Sequence, residues 1–170
     1  EISACLVGSE MCIRDSHLLL EAISFVVDMH DDDSMLEIFA VRRMLESQAT
    51  GLAATLGTDE AIADLEREVE SIDSTVSIEE LVEHDIRFHR EIVGMAGNAY
   101  LASLIEHLSS QTVRARVWRG LTEGGAVERT LSEHRAIADA IARRDSGLAT
   151  SLATAHIAGV ERWLRQAATA

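Results

Sequence analysis

The stretch HDIRFHREIVGMAGNAYL, residues 84–101, indicates both how the chain folds and where its chemistry lies. Its apolar residues recur every three or four positions, a spacing that predicts an amphipathic helix. Asp85 and His89 stand four residues apart, so their side chains share one face of that helix. Because Phe88 lies on the adjoining core side, we expect the pair at the edge of the protein interior.

Helical patterns continue on both sides of this stretch. Ser77 and Thr58 are predicted helix caps, and Ser34 with Glu37 forms a predicted capping box. No segment alternates with a period of two for long enough to predict a strand. Short turns between helices favour neighbouring antiparallel packing, so we predict an all-α antiparallel bundle of six to seven helices. The predicted helices cover about 17–30, 34–56, 58–72, 77–97, 99–119, 127–144 and 148–168.

Two further histidines fall on the apolar sides of predicted helices, His134 on the sixth and His156 on the seventh. A single inward histidine is usually a hydrogen-bonded core residue, and that interpretation stays open for each. Together with Asp85 and His89, however, they suit a divalent metal such as zinc, nickel, manganese or iron. The remaining histidines are predicted to be solvated surface residues: His17, His30, His84 and His107.

Composition excludes several classes of protein. The formal charge is −14, and an acidic chain repels phosphate backbones, so we expect this chain alone not to bind nucleic acid. Cys5 and Cys12 are the only cysteines, which argues against a disulfide framework and favours a cytoplasmic location. The most apolar run contains Glu21 and is too short for a membrane span, so no membrane partner is expected.

The segments VRRMLESQATGLAA (41–54), HDIRFHREIVGMAGNAYL and SEHRAIADAIARRDSGLATSLATAH (132–156) resemble, in order, the FCD domain. That domain is the C-terminal effector-binding domain of FadR-subfamily GntR transcription regulators. The resemblance implies a helical bundle with a central cavity and a homodimer. It also implies a divalent metal, zinc first, and a small carboxylate effector bound beside or onto it. The implied metal ligands are Asp85, His89, His134 and His156.

Three residues are candidates for binding the effector, each with an alternative. Arg42 matches an arginine near the cavity in the resembled family, but it could instead form a surface pair with Glu46. Asn98 faces the cavity or only terminates a helix. Arg116 is a weaker candidate that could be a plain surface arginine. Arginine suits this role because its guanidinium binds a carboxylate through two parallel hydrogen bonds.

The front of the chain departs from the resembled family, whose members begin with a winged helix-turn-helix domain that binds operator DNA. Residues 10–16, EMCIRDS, resemble the translation of a sequencing adapter, so we expect residues 1–16 to be a non-native leader or a disordered tail. Residues 17–170 then form the sensing domain, without the DNA-binding domain. We expect no enzyme activity. The alternatives are a metal-free helical interaction bundle and, with less support, a metallohydrolase.

Overall fold

The computed structural model describes residues 33–167, with side chains from residue 35 onward. This part of the chain holds seven α-helices and no strand, which confirms the all-helical prediction. The predicted helix 17–30, the leader, both cysteines, His17 and His30 lie outside it. The helices are α1 Asp33–Leu56, α2 Asp59–Glu70, α3 Ile78–Met95, α4 Ala99–Gln111, α5 Val113–Thr122, α6 Ala126–Ala142 and α7 Ser146–Ala167.

Side-chain caps fix where α2 and α3 begin. The Thr58 hydroxyl accepts a hydrogen bond from the Ala61 N–H, which confirms the predicted cap of α2. Ser77 and Glu80 form a reciprocal capping box that starts α3, so that prediction is confirmed as well. Each cap satisfies backbone N–H groups that have no acceptor inside the helix. The start of α3 is therefore well defined two turns before Asp85.

The predicted fifth helix, residues 99–119, is wrong, because the structure has two helices there. Thr112 ends α4 and begins α5. Its buried hydroxyl donates to the Ser109 carbonyl at 2.9 Å and accepts from Nη1 of Arg42 at 2.7 Å, and this side-chain bonding competes with the regular helical ladder. The gap left between the predicted helices 99–119 and 127–144 is also too long, since α5 runs to Thr122. Within this segment Gly125, at φ 74°, takes the left-handed conformation that glycine favours.

The largest apolar core lies where α2, α3, α6 and α7 meet. Phe88 and Ile92 of α3 pack there with Leu65 of α2 and Ile137 of α6, and each of these side chains is at most 2% exposed. Small side chains let α7 come close to α1: a Cβ added at Gly51 would lie 2.3 Å from the Thr150 hydroxyl. This packing turns the polar faces of α3, α6 and α7 toward one another beside the core.

No helix within residues 33–167 combines the length and the apolar character that a bilayer-spanning segment needs.

Candidate metal centre

Four buried side chains from three helices converge beside the core. Asp85 and His89 come from α3, His134 from α6 and His156 from α7. Each offers one nitrogen or oxygen atom, and these four atoms lie within 4.8 Å of one another. Their exposed fractions are between 0% and 6%. Three imidazoles and one carboxylate form a donor set suited to zinc and its transition-metal neighbours.

One inner atom of this group lacks the hydrogen bond that a buried polar atom normally makes. Nε2 of His134 is buried and has no hydrogen-bond partner among the described residues. Its nearest carboxylate oxygen, Oδ1 of Asp85, lies 3.5 Å away, at the outer limit of a hydrogen bond. Nε2 of His89 is 3.8 Å from the same oxygen. An unsatisfied buried nitrogen is costly, and a bound cation would satisfy it. The residues present therefore fit a metal.

The outer nitrogens of the same rings are all engaged. Nδ1 of His89 is 3.0 Å from Oε2 of Glu46, and Nδ1 of His156 is 2.7 Å from Oε2 of Glu133. Nδ1 of His134 is 3.1 Å from a ring nitrogen of His84. Metal-binding histidines usually donate their second N–H to such a partner, which fixes the tautomer and leaves the other nitrogen free. In each ring, Nε2 is the atom left to bind a metal.

The charges in the site favour the ligating forms of two groups. Burial alone would raise the pKa of Asp85, but the Arg116 guanidinium, with His89 and His134, holds that pKa well below its usual value. Arg116 contacts Oδ2 of Asp85 directly and donates to the Ser109 carbonyl at 2.8 Å. Burial lowers the pKa of His134 well below its usual value, so its ring is neutral at neutral pH. An ionised carboxylate and a neutral imidazole are the forms that bind metals.

Arg42 forms a buried network that reaches the site. It pairs with Glu46 at 2.5 and 3.2 Å, and both side chains are at most 2% exposed. The interpretation of this pair as a surface feature is therefore wrong, although the i,i+4 pairing is correct. Burial alone would raise the pKa of Glu46, but Arg42 and His89 lower it to about 2. Glu46 thus connects Arg42 to His89.

A cavity adjoins the four converging side chains. Both Arg42 and Arg116 line it, together with Asp85, His89 and His156. Arg116 is only 9% exposed, which contradicts its interpretation as a surface arginine. The rest of the lining is mainly apolar, including Phe39, Leu81, Val82, Ile157 and Val160. A cavity with apolar walls, two guanidinium groups and a group of metal-ligand type is suited to a small carboxylate.

Asn98 lies elsewhere in the described part of the chain. Its side chain is exposed and caps α4 by accepting from the Leu101 N–H at 3.0 Å. It is not among the residues that line the cavity.

Sequence reasoning missed His84, which was predicted to be a solvated surface residue and is fully buried. The signal was present in the sequence. His84 lies three residues after Leu81 and four before Phe88, so it belongs to the apolar face of α3. The partners Glu46 and Glu133 were missed because each lies on a different helix from the histidine that it contacts. His107 is only partly exposed.

Comparison with known proteins identifies the family. The sequence model of the FCD domain matches residues 37–159. The chain is 28% identical over 155 residues to the galactonate operon transcriptional repressor of Escherichia coli K12, covering 89% of this chain and 67% of that protein. It is 31% identical over 138 residues to the HTH-type transcriptional regulator LutR of Bacillus subtilis 168, covering 76% of this chain and 61% of that protein.

A third relative shows the same pattern. The HTH-type transcriptional repressor GlaR of Escherichia coli K12 is 29% identical over 138 residues, covering 74% of this chain and 62% of that protein. The chain thus spans about two thirds of the length of these relatives. The family match covers more than half of the chain and includes all four converging side chains. The chain therefore belongs to the FCD domain family of GntR-type transcription regulators.

Proposed function

We propose that this domain binds a divalent transition metal through Asp85, His89, His134 and His156, and senses a small carboxylic acid beside it. The observation that carries the proposal is the convergence of four buried ligand atoms within 4.8 Å. The proposal is supported by the Nδ1 atoms of the three histidines, each of which contacts a partner outside the site. This leaves the three Nε2 atoms facing inward. A core of packed histidines without a metal would not need this common orientation.

Zinc is the metal we propose first, with nickel, manganese or iron as the other members of the class. Four protein ligands leave one or two positions for water or a carboxylate when the metal has five or six ligands. The bound metal would supply a positive Lewis-acid centre for the acid. Arg42 and Arg116 would bind the remaining carboxylate oxygens through their planar guanidinium groups. Asn98 was a third candidate, and its position as an exposed cap gives it no support.

The names of the relatives support the chemical class of the effector. One relative is named for the galactonate operon, and galactonate is a carboxylate. We therefore propose a small hydroxy or sugar acid for this domain. An acid of that kind suits the two arginines that line the cavity.

The relatives also support a role within a larger regulator. Two are named HTH-type, and all three are longer than this chain. We propose that residues 17–170 are the effector-binding domain of a homodimeric, cytoplasmic transcription factor, and that residues 1–16 are not part of it. Operator binding would belong to a separate domain, because the charge of −14 disfavours DNA binding by this chain. Effector binding would then shift the populations of two arrangements of the regulator.

One observation favours a second candidate, a metal-free interaction bundle. Arg116 already compensates the buried charge of Asp85, so the bundle can form without a metal. Such a bundle would respond to neither metal nor acid. A metallohydrolase would instead consume the acid.

The decisive experiment is thermal unfolding of chelator-stripped protein with zinc, nickel or manganese. Metal at about 100 times its dissociation constant should add about 2.7 kcal/mol, which raises the midpoint by roughly 5 to 10 °C. Asp85→Ala should abolish this rise, because a ligand is lost. Asp139→Ala is the matched control, since Asp139 is an exposed α6 residue paired only with Arg143. No rise in the parent chain, or an unchanged rise in Asp85→Ala, would contradict the metal site.

The second stage adds carboxylic acids to the metal-loaded protein. Galactonate and short hydroxy acids are the first probes, and a sensor should be stabilised by one of them and leave it chemically intact. Recovery of the unchanged acid, followed by NMR, separates sensing from hydrolysis.

A further inference from the structure

His84 is the buried histidine that the proposed metal set does not use. It precedes Asp85 on α3 and is fully buried. Its ring centroid lies 5.2 Å from that of His134, whose ring stacks on Phe88 with centroids 4.0 Å apart and an angle of 12°. An imidazole in this position must find partners for both nitrogens inside the protein.

Both nitrogens of His84 have such partners. Its Nδ1 lies 3.0 Å from Oε1 of Glu68, a residue of α2. Its Nε2 lies 3.1 Å from Nδ1 of His134. Glu68 is held in turn by Arg87, whose Nε donates to the same oxygen at 2.9 Å. A continuous hydrogen-bonded chain therefore runs from Glu68 through His84 to His134.

With neutral imidazoles, this chain has one polarity in which each of its hydrogen bonds joins a donor to an acceptor. The Glu68 carboxylate can only accept, so Nδ1 of His84 donates and its Nε2 becomes an acceptor. That nitrogen accepts the N–H of Nδ1 of His134. The lone pair of His134 is then left on Nε2, the atom that faces Asp85 and lacks a hydrogen-bond partner. The carboxylate of Glu68 thereby determines the tautomer of a histidine that it does not touch.

We propose that His84 and Glu68 are positioning residues that hold His134 in the tautomer and orientation required to bind the metal. This inference rests on the proposed function. His89 and His156 each reach a carboxylate directly, through Glu46 and Glu133. His134 is fully buried and reaches its carboxylate through a second imidazole.

Two substitutions separate hydrogen bonding from packing at His84. His84→Leu removes both hydrogen bonds, so metal affinity should fall by about 10- to 100-fold. His84→Gln keeps an acceptor for His134 and a donor for Glu68, so its affinity should stay near that of the parent chain. His107→Leu is the control, because this α4 histidine lies outside the chain of hydrogen bonds. Glu68→Leu, at a site on α2 that is partly exposed, gives the same test if His84→Leu does not fold.

A second readout needs no metal. Long-range ¹H–¹⁵N NMR of the imidazoles in chelator-stripped protein should show His134 protonated on Nδ1 in the parent chain and in His84→Gln. In His84→Leu the proton should redistribute toward Nε2. A purely structural role would lower stability without moving this signal.

The outcomes distinguish this inference from the proposed function. Parent-like metal affinity in His84→Leu would overturn the inference and leave the metal site standing. A loss of affinity in His84→Leu that His84→Gln does not restore would also overturn it, because packing would then explain the loss. A parent chain that ignores metals would overturn the proposed function and the metal-positioning role together, while the NMR signal would still show whether Glu68 and His84 fix the tautomer.

Discussion

At the scale of single residues, Arg116 stabilises the site when no metal is bound. Its guanidinium contacts Asp85, and both side chains are nearly buried. Replacing Arg116 with Met leaves an uncompensated carboxylate, which should lower the free energy of unfolding of the metal-free domain by about 3 kcal/mol. A bound metal would replace the missing charge, so the variant should gain more from zinc than the parent chain does. Urea unfolding with chelator and with zinc measures both values.

The control for this prediction lies on the same helix. Arg119 also lines the cavity, but it pairs with Glu123 rather than with Asp85. Arg119→Met should lower stability equally with and without zinc. An Arg116→Met variant that gains no more from zinc than the parent chain would refute this role for Arg116.

Spacing predicted that each of the four converging side chains lies on the apolar side of its helix, because helical periodicity states which residues share a face. The resemblance to the FCD domain then implied that the four act as one set. Spacing did not predict that His84 is buried. His84 was assigned to the solvent-exposed surface because its side chain points away from Asp85. The apolar face of α3 is wide enough to include both residues, and only the position of α6 decides that His84 is covered. Glu133 becomes a partner of His156 through tertiary packing. The residue spacing along one helix carries no information about that packing.

At the scale of the helices, α3 carries two of the proposed ligands and depends on its capping box. Ser77→Ala removes the hydroxyl that accepts from the Glu80 N–H, so unfolding should become easier by about 1 kcal/mol. Chemical denaturation measures this change. Ser151→Ala is the control: this exposed α7 hydroxyl only bonds back to the Gly147 carbonyl, and its loss should change stability by less than about 0.5 kcal/mol. Equal effects of the two substitutions would contradict the cap.

Most helix boundaries were predictable because caps and glycines are local signals. The break between α4 and α5 was not, since no glycine or proline marks residue 112. Thr112 interrupts the helix through a hydroxyl whose second partner, Arg42, lies 70 positions earlier in the sequence. A local pattern cannot reveal a partner at that distance.

At the scale of the whole domain, buried neutral histidines make stability depend on pH. Burial lowers the pKa values of His134 and His84 below the ordinary value of 6.5. Between pH 7.5 and 5.5 these two histidines therefore bind more protons in the unfolded chain than in the folded chain, so their contribution to stability falls as pH falls. We expect a loss of about 1 to 2 kcal/mol in chelator over this range, measured by urea unfolding.

Two carboxylates act in the same direction at lower pH. The pKa values of Asp85 and Glu46 are depressed in the folded state, so their stabilisation is present above pH 4.5 and is lost on further acidification. Burial raises the pKa of Glu91, so the contribution of this residue to stability increases on acidification and opposes the trend. His134→Gln should flatten the loss between pH 7.5 and 5.5, and an equally steep loss in that variant would refute the assignment to His134.

The contact between Arg116 and Asp85 has a thermodynamic consequence for the proposed sensor. One guanidinium cannot give its full set of hydrogen bonds to Asp85 and to an effector at the same time. A cation that takes over the charge of Asp85 would release Arg116, and an acid that recruits Arg116 would release Asp85. The two ligands would then bind with positive heterotropic cooperativity, and each would raise the affinity of the other by the same factor. The domain would act as a coincidence detector, in which the change of conformation is complete only when metal and acid are both bound.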